Sequence, residues 1–454
     1  MAAIIAVLIV IILAAKLILK GYKTEAILFI AGLALMSCTG IFGWGDVLPA
    51  NVTSTNLSTF DPFKFISYML GYRAGGLGLT IMVLMGFAEL MTRIKADAVI
   101  VRLAVKPLSC VKNKNILLFF GYIIGASLQL AIPSATALAV LLMVTLYPIL
   151  TGLGISRASS AGVIASTLGL TLTPLGVDAI KASESVGMGL MDYLSYQAPT
   201  SAIAIVAVGI AHVVWQSYQD KKEGYVTGAD VITNSDDDGN KAPGVYAILP
   251  MLPIIAAIVF SKLVISSIHL DVVTIVLISV FISLAFEGVR SRSLKESLDC
   301  FGSFMKGCGN AMTSVVFLLV AAGVFAYGIQ STGAISNLIS SAQGAGMPAL
   351  ALTFVFAVVV GLSALVMGSG NAAFLSFVDI VPAVAHSMGA NPVAMMLPMQ
   401  QASALARAAS PVAACVIVSA GGSKLTTFEV IKRTSIPMLV GFFVHFIAVM
   451  IMLG

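Results

Sequence analysis

The chain has few charged residues. Asp, Glu, Lys and Arg make up 10% of its 454 residues, whereas hydrophobic residues make up 59%. Water-soluble domains carry roughly 25% charged residues, so a chain of this composition could not cover its apolar surface in water. Apolar stretches near the ~20 residues that a transmembrane helix requires recur from one end to the other. The sequence therefore predicts an all-α, multi-pass membrane protein whose solvent is the lipid bilayer.

Residues that bind metals or perform nucleophilic chemistry are also scarce. The sequence has five cysteines without a CxxC pair and four isolated histidines, so it offers neither a disulfide framework nor a zinc or iron ligand set. We expect no cofactor and no enzymatic activity, because an intramembrane enzyme would need a nucleophile–base pair or a metal. The net charge of +5 does not indicate nucleic-acid binding, because the basic residues lie in short loops rather than on one face.

Ten apolar segments are predicted to cross the membrane: residues 2–20, 24–44, 76–93, 158–182, 199–217, 245–262, 271–288, 309–328, 393–421 and 435–453. One long charged stretch, residues 218–244, lies at mid-chain and contains the run Asp236-Asp237-Asp238. We therefore predict two halves, residues 1–217 and 245–454, joined by this cytoplasmic linker.

The placement of Lys and Arg predicts the orientation, since positive residues are retained on the cytoplasmic side. With the N-terminus outside, 20 of the 25 Lys and Arg residues lie in cytoplasmic loops and four in outer loops, while Arg407 remains within the membrane. The first half then begins outside and the second begins inside. This is an inverted arrangement of two repeats.

Sequence similarity between the halves supports the repeat. The segment around Pro148 resembles the segment around Pro382, and each is followed by a hydroxyl residue and a proline, Thr173-Pro174 and Ser410-Pro411. Inverted repeats with interrupted helices at corresponding positions indicate where a transporter binds its solute.

Two further apolar stretches, residues 115–152 and 347–386, are each divided near the middle. Pro133-Ser134-Ala135-Thr136 divides the first into arms of about 24–26 Å, shorter than the ~30 Å hydrocarbon core. Gly368-Ser369-Gly370-Asn371 divides the second. Either two short spans or a re-entrant hairpin would return the chain to the side it left. We expect re-entrant hairpins.

Such tips suit anion binding, because a helix that starts at a tip presents unpaired N–H groups and a partial positive charge. The candidate binding residues at the tips are Ser134, Thr136, Ser369, Gly370 and Asn371. The alternative is structural, since Ser and Thr in membrane helices often bond the carbonyl of the preceding turn.

The two later prolines predict breaks inside apolar spans. Proline removes a donor and frees the carbonyl one turn back, so Thr173 and Ser410 are expected to border the binding site. A structural kink is the alternative for either proline alone.

Arg407 lies three residues before Ser410 in a charge-free part of its span. Placing an arginine within the membrane costs at least ~2.5–3.5 kcal/mol of insertion free energy, so an intramembrane arginine is interpreted as functional. The forked donors of its guanidinium match a carboxylate. The alternatives are an ion pair with Asp379 or snorkelling to the inner surface. Asp178 is a candidate for coupling to H⁺ or Na⁺, unless it simply lies near the outer surface beside Lys181.

Four segments together resemble the anaerobic C4-dicarboxylate carriers of the DcuC type, within the ion-transporter superfamily: LAIPSATALAVLLMVTLYPI, VMGSGNAAFLSFV, QASALARAASPVAA and FEVIKRTSIPMLVG. The resemblance covers essentially the whole chain. It implies two inverted repeats, a re-entrant hairpin in each, a homodimeric scaffold and a mobile, elevator-type transport domain in the bacterial inner membrane.

The resemblance also implies the substrate, since the residues themselves indicate only an anion. We expect succinate, fumarate, malate or aspartate, moved by exchange or by succinate efflux during fermentation. One alternative is a superfamily carrier for another substrate, such as aminobenzoyl-glutamate or a basic amino acid. Another is an anion channel.

Overall fold

The computed structural model describes residues 2–20, 22–49, 51–111, 113–225, 242–260, 270–333 and 348–454. Within these ranges every regular element is helical. Seven of the helices are long and apolar enough to cross a bilayer, and the pair α3–α4 defined below, bent by 47°, would make an eighth. The described part of the chain is therefore an all-helical membrane protein, as the composition predicts.

Ten α-helices precede the linker in the described part of the chain. They are α1 (Ala2–Leu19), α2 (Thr24–Phe42), α3 (Asp61–Gly75), α4 (Leu77–Arg93), α5 (Ala96–Val105), α6 (Lys114–Ser127), α7 (Ala135–Gly152), α8 (Arg157–Ala165), α9 (Val177–Ser185) and α10 (Leu190–Lys222). The predicted span 158–182 is divided, because residues 166–176 between α8 and α9 are not helical. Helix α3 lies in a stretch that the sequence places in an outer loop.

Ten described helices follow the linker. They are α11 (Leu252–Val259), α12 (Val272–Ser291), α13 (Leu294–Ala311), α14 (Phe317–Ser331), α15 (Ala349–Met367), α16 (Gly370–Phe377), α17 (Val381–Ser387), α18 (Pro392–Ala408), α19 (Ala414–Ser423) and α20 (Thr427–Leu453). The predicted span 393–421 is likewise divided, at residues 409–413. A short π-helical segment, Met312–Val316, joins α13 to α14.

We divide the helices into two groups by their closest packing partners, although one apolar core contains residues of both groups. In the first, α4 packs against α13, and α2 packs against α14. These crossings are close because glycines face each other: a Cβ on Gly307 would lie 2.8 Å from the Cα of Gly86, and one on Gly328 would lie 2.8 Å from the carbonyl oxygen of Gly32. Small residues allow such close approach between membrane helices. We call this group the α2–α4–α13–α14 body.

The second group carries the divided helices. Helix α10 packs along α20, α15 packs along α18, and α19 packs against α7 and α8. A separate apolar core joins the two arms of the first hairpin, α6 and α7, to α8, α10 and α19. We call α6–α10 and α15–α20 the site-bearing elements, because their breaks surround the cavity described below.

The predicted orientation can be tested by chemical labelling. Asn56 and Lys295 are both exposed, so a single cysteine at Asn56 should react with an impermeant maleimide from outside and one at Lys295 only from the cytoplasm. A cysteine at Asp236, which lies outside the described residues, should behave like Lys295. Labelling at 236 or 295 in intact cells would overturn the orientation that the charge bias predicts.

Candidate functional site

A cavity of about 480 Å³ lies where the two predicted hairpin tips, the first break, the end of α18 and the start of α19 meet the C-terminal half of α4. It brings together most of the residues singled out from the sequence: Ser134, Thr136, Thr173, Asp178, Ser369, Asn371 and Arg407. Residues far apart in the chain therefore share one site. The remaining two candidates, Gly370 and Ser410, are not among its lining residues.

Each hairpin tip starts a helix at the cavity. Ser134 is the N-cap of α7 and accepts a hydrogen bond from the Ala137 N–H at 3.3 Å, and Ser369 is the N-cap of α16 and accepts one from Ala372 at 3.2 Å. Capping explains the serines structurally, but a hydroxyl that accepts a bond keeps its own proton to donate. The two tips thus present helix N-termini, with their unpaired N–H groups, to one space.

The second polar side chain at each tip occupies the same helical position. Thr136 and Asn371 are each the second residue of their helix, two residues after the capping serine, and both line the cavity. Gly370 has a different role, because a Cβ there would lie 2.8 Å from the Ser403 carbonyl oxygen on α18. It allows the tip to pack closely rather than lining the site.

Gly368 joins the second tip to the second break. Its φ of +66° favours glycine, and a Cβ there would lie 2.8 Å from the Val412 backbone. Ser410 is fully buried in this break, where its hydroxyl accepts a hydrogen bond from the Val412 N–H at 3.4 Å. Ser410 therefore stabilises the non-helical backbone of the second break and does not line the cavity.

Two glutamines hold the backbone of the first break. The side chain of Gln129, beside the first tip, donates to the Leu170 carbonyl at 2.9 Å and accepts from the Leu172 N–H at 2.7 Å. Gln401, on α18, accepts from the Thr171 N–H at 2.8 Å and donates to the Thr171 carbonyl at 3.1 Å. Non-helical backbone at membrane depth must be satisfied inside the protein, and these amides supply the partners.

Asp178 lies in a buried network rather than at the surface. Its carboxylate accepts hydrogen bonds from the Thr171 hydroxyl and the Gln400 amide, both at 3.0 Å. Gln400 also accepts from the Tyr193 hydroxyl at 2.7 Å. Lys181 does not pair with Asp178, because its ammonium lies 2.5 Å from Asp379. Asp178 is therefore buried and forms no ion pair with Lys181 among the described residues, although both lie on α9.

Arg407 borders the cavity, and no acidic residue in the described part of the chain lies at hydrogen-bond distance from it. Its Nη2 donates to the Leu168 carbonyl at 2.7 Å, and its buried Nε–H has no acceptor among the described residues. The alternative pairing with Asp379 is wrong, since Asp379 lies 3.2 Å from Arg73 and pairs with Lys181. Arg407 is thus a half-buried cation with an unused donor beside the site.

The charges around the cavity are unequal. Glu89, Asp97 and Asp178 line it, and Arg407 is the one basic residue among the described lining residues. A dianion entering this site would meet three carboxyl groups as well as the arginine and the helix N-termini. Protons or cations held at the carboxyl groups would reduce the repulsion.

Sequence reasoning missed the glutamines: Gln129, Gln197, Gln400 and Gln401. Gln197 donates to the Thr171 carbonyl at 2.9 Å and so completes the network around the first break. Their signal in the sequence is that each is an uncharged amide inside an otherwise apolar stretch. Such amides must find partners inside the protein.

The chain resembles known carriers over its whole length. A family model described as "C4-dicarboxylate anaerobic carrier", DcuC, matches residues 1–454. The probable anaerobic C4-dicarboxylate transporter DcuC of Vibrio cholerae is 41% identical over 437 residues, 96% of this chain and 94% of that protein. The anaerobic C4-dicarboxylate transporter DcuC of Escherichia coli K12 is 38% identical over 445 residues, covering 98% and 95%.

Two solved structures share the fold at low identity. MtrF of Neisseria gonorrhoeae, from a class described as antimetabolite efflux pumps, has a TM-score of 0.63 at 13% identity and covers 94% of this chain and 95% of its own. The YdaH transporter of Alcanivorax borkumensis has a TM-score of 0.66 at 12% identity and covers 94% and 98%. At this identity the likeness concerns the fold alone.

Proposed function

Because the chain belongs to the DcuC family of C4-dicarboxylate anaerobic carriers, we propose that it moves succinate and fumarate by exchange, or releases succinate during fermentation, across the bacterial inner membrane. It is a multi-pass membrane transporter of C4-dicarboxylates and not an enzyme. Malate and aspartate share the four-carbon dicarboxylate frame and are further candidate substrates. One observation carries the proposal: both capped hairpin tips and Arg407 line the same cavity.

The geometry suggests how a substrate with two carboxylates binds. One carboxylate accepts hydrogen bonds from the N-terminus of α7, where Ser134 and Thr136 add hydroxyl donors, and the other binds at α16 with Ser369 and Asn371. Arg407 supplies the positive charge. Charge-assisted bonds to carboxylates are about twice as strong as neutral ones, so these contacts favour dicarboxylates over uncharged solutes.

Asp178 is the proposed coupling residue. It lines the cavity and is hydrogen-bonded to the first break through Thr171. Binding a proton or Na⁺ at its carboxylate would lower the repulsion that a dianionic substrate meets. Binding at Asp178 would then change the conformation of the non-helical segment between α8 and α9, which borders the substrate site.

The proposed transport cycle is an elevator-type movement in a homodimer. The site-bearing elements would move as the transport domain against a scaffold that includes the α2–α4–α13–α14 body. We propose about ten spans and two re-entrant hairpins in two inverted repeats, residues 1–217 and 245–454. The corresponding order of tips and breaks in the two halves supports this arrangement.

Ligand-dependent thermal stability tests the substrate class. Succinate and fumarate should raise the melting temperature of the purified protein, because a ligand that binds only the native state stabilises it. Butyrate, which has the same chain length and one carboxylate, is the matched control and should have little effect. Stabilisation by lysine or aminobenzoyl-glutamate, with none by the dicarboxylates, would replace the proposed substrate.

The second hairpin tip should contribute directly to affinity. Asn371→Ala removes polar contacts to a carboxylate worth about 1.5–3 kcal/mol, so the Kd for succinate should rise about tenfold or more. Ser369→Ala should have a similar effect on binding and should also cost about 1 kcal/mol of stability through the lost helix cap.

The control for this pair is Ser293→Ala. Ser293 caps α13 by accepting from the Glu296 N–H at 3.3 Å and does not line the cavity, so its loss should reduce stability without changing affinity. Calorimetry on all three variants separates the two effects. An unchanged Kd in both tip variants would restrict the second tip to a structural role.

A further inference from the structure

A cluster of charged side chains lies away from the cavity. Arg73 is 3.1 Å from Glu184 and 3.2 Å from Asp379, and Lys181 is 3.3 Å from Glu184 and 2.5 Å from Asp379. Ser185 donates to Asp379 at 3.3 Å. Two cations and two carboxylates thus form a closed ring of ion pairs.

The two cations of this ring are buried, so the loss of any one partner is costly. The side chain of Arg73 is 9% exposed and that of Lys181 is 2% exposed. Ions removed from water lose hydration that their attraction repays only when the geometry is good, and removal of one partner leaves a buried charge uncompensated. The intact ring therefore adds little net stability, but separating its members costs free energy.

The ring joins the two groups of helices. Arg73 lies on α3, which packs against α14 and α2 of the α2–α4–α13–α14 body. Lys181 and Glu184 lie on α9, and Asp379 lies in the turn between α16 and α17. Among these four charged residues, only Arg73 comes from outside the site-bearing elements.

The ring and the cavity lie toward opposite ends of α4. Arg73 precedes the start of α4, the end predicted to face outside, and is not among the cavity-lining residues. The cavity follows the other half of α4, from Leu84 to Thr92, and continues to Asp97 beside the basic residues Arg93 and Lys95. Positive residues mark the cytoplasmic side. In the orientation that the charge bias predicts, the cavity lies in the cytoplasmic half of the protein and the ion pairs lie in the outer half.

We propose that Arg73 is the latch of the outer gate: its ion pairs with Glu184 and Asp379 hold the site-bearing elements against α3 and must break before the site opens outward. This inference rests on the proposed transport cycle. When Arg73 leaves, Lys181 stays with both carboxylates, so only one of the two carboxylate charges on the site-bearing elements loses its partner.

Removing the latch should shift the protein toward an outward-open state. In a background with the five native cysteines replaced by serine, Leu77→Cys, buried at the outer start of α4, reports outer access. Thr92→Cys, at the cytoplasmic end of the cavity, reports inner access. Arg73→Gln should increase maleimide labelling of Leu77→Cys on the order of tenfold and decrease that of Thr92→Cys. Arg73→Lys should restore most of the original ratio.

The matched control is Arg290→Gln. Arg290 pairs with Glu287 at 2.7 Å within one helix, so its loss removes an ion pair without joining or separating the two groups. It should leave both labelling rates unchanged. A folded Arg73→Gln protein with the original labelling ratio would overturn the latch.

Glu184→Gln is the variant to measure if Arg73→Gln does not fold. Glu184→Gln removes one of the two ion pairs and should give an intermediate shift, and no shift in that variant would equally overturn the latch. The labelling is measured without substrate. A shift in labelling together with no response to succinate would therefore retain the latch and reject the proposed substrate.

Discussion

Arg407→Gln is expected to abolish dicarboxylate transport while leaving a folded protein. Truncating one partner of a buried charged pair costs about 2–5 kcal/mol, so the Kd for succinate should rise about 30-fold to several thousand-fold. The fold should survive because a neutral side chain is cheaper in the membrane than an arginine. Counterflow and thermal-shift measurements on the purified variant check both parts.

Two further variants show whether the effect depends on the arginine at this site. Arg407→Lys should retain little activity, because an ammonium cannot reproduce the bidentate fork. Arg157→Gln is the matched control, since Arg157 also donates to a backbone carbonyl, that of Ser423 at 2.7 Å, but does not line the cavity. It should bind succinate normally. Normal binding by a folded Arg407→Gln protein would remove Arg407 from the site.

Replacing the glutamines at the first break should destabilise the protein strongly. Gln129→Leu leaves the Leu172 N–H and the Leu170 carbonyl without the side-chain partner they have in the structure. Each buried polar group left unsatisfied costs about 1–3 kcal/mol, so the loss is about 2–6 kcal/mol. Gln401→Leu leaves the Thr171 N–H without its partner, whereas the Thr171 carbonyl keeps the bond from Gln197, so the expected loss is smaller, about 1–3 kcal/mol. We expect a fall in melting temperature and loss of transport in both variants, with the larger fall in Gln129→Leu.

An exposed glutamine provides the comparison for these two variants. Gln330 is exposed near the end of α14. Gln330→Leu therefore makes the same chemical change but leaves the backbone hydrogen bonds at the break intact. Its melting temperature should stay near that of the wild type. If Gln129→Leu and Gln401→Leu also melted and transported like the wild type, water or other side chains would have to satisfy the break, and the two glutamines would not position it.

The interruptions could be predicted from the sequence because their causes are local. Proline and glycine within a charge-free apolar stretch identify the tips at Ser134 and Ser369, and Pro174 and Pro411 identify the breaks. The structure places non-helical backbone at all four positions. Most candidate residues lie around one cavity because the fold brings these tips and breaks together.

The partners of the polar side chains could not be predicted, because they depend on packing between distant segments. Gln401 bonds a backbone 230 residues away, and Arg73 meets Asp379 across 306 residues. Asp379 pairs with Arg73 and Lys181 rather than Arg407, because the turn after α16 lies beside α9. Helix α3 was missed since Asp61, Lys64 and Arg73 make its stretch resemble an outer loop.

Counterflow in proteoliposomes tests the central claim most directly. Vesicles that contain the purified protein are preloaded with labelled succinate, and its release is followed with and without external fumarate, with external butyrate as the control. A C4-dicarboxylate exchanger should release succinate much faster with fumarate outside, saturably, and should lose this response in Arg407→Gln. Release that is equally fast with fumarate, butyrate or no external anion, without saturation, would contradict the claim and indicate a channel.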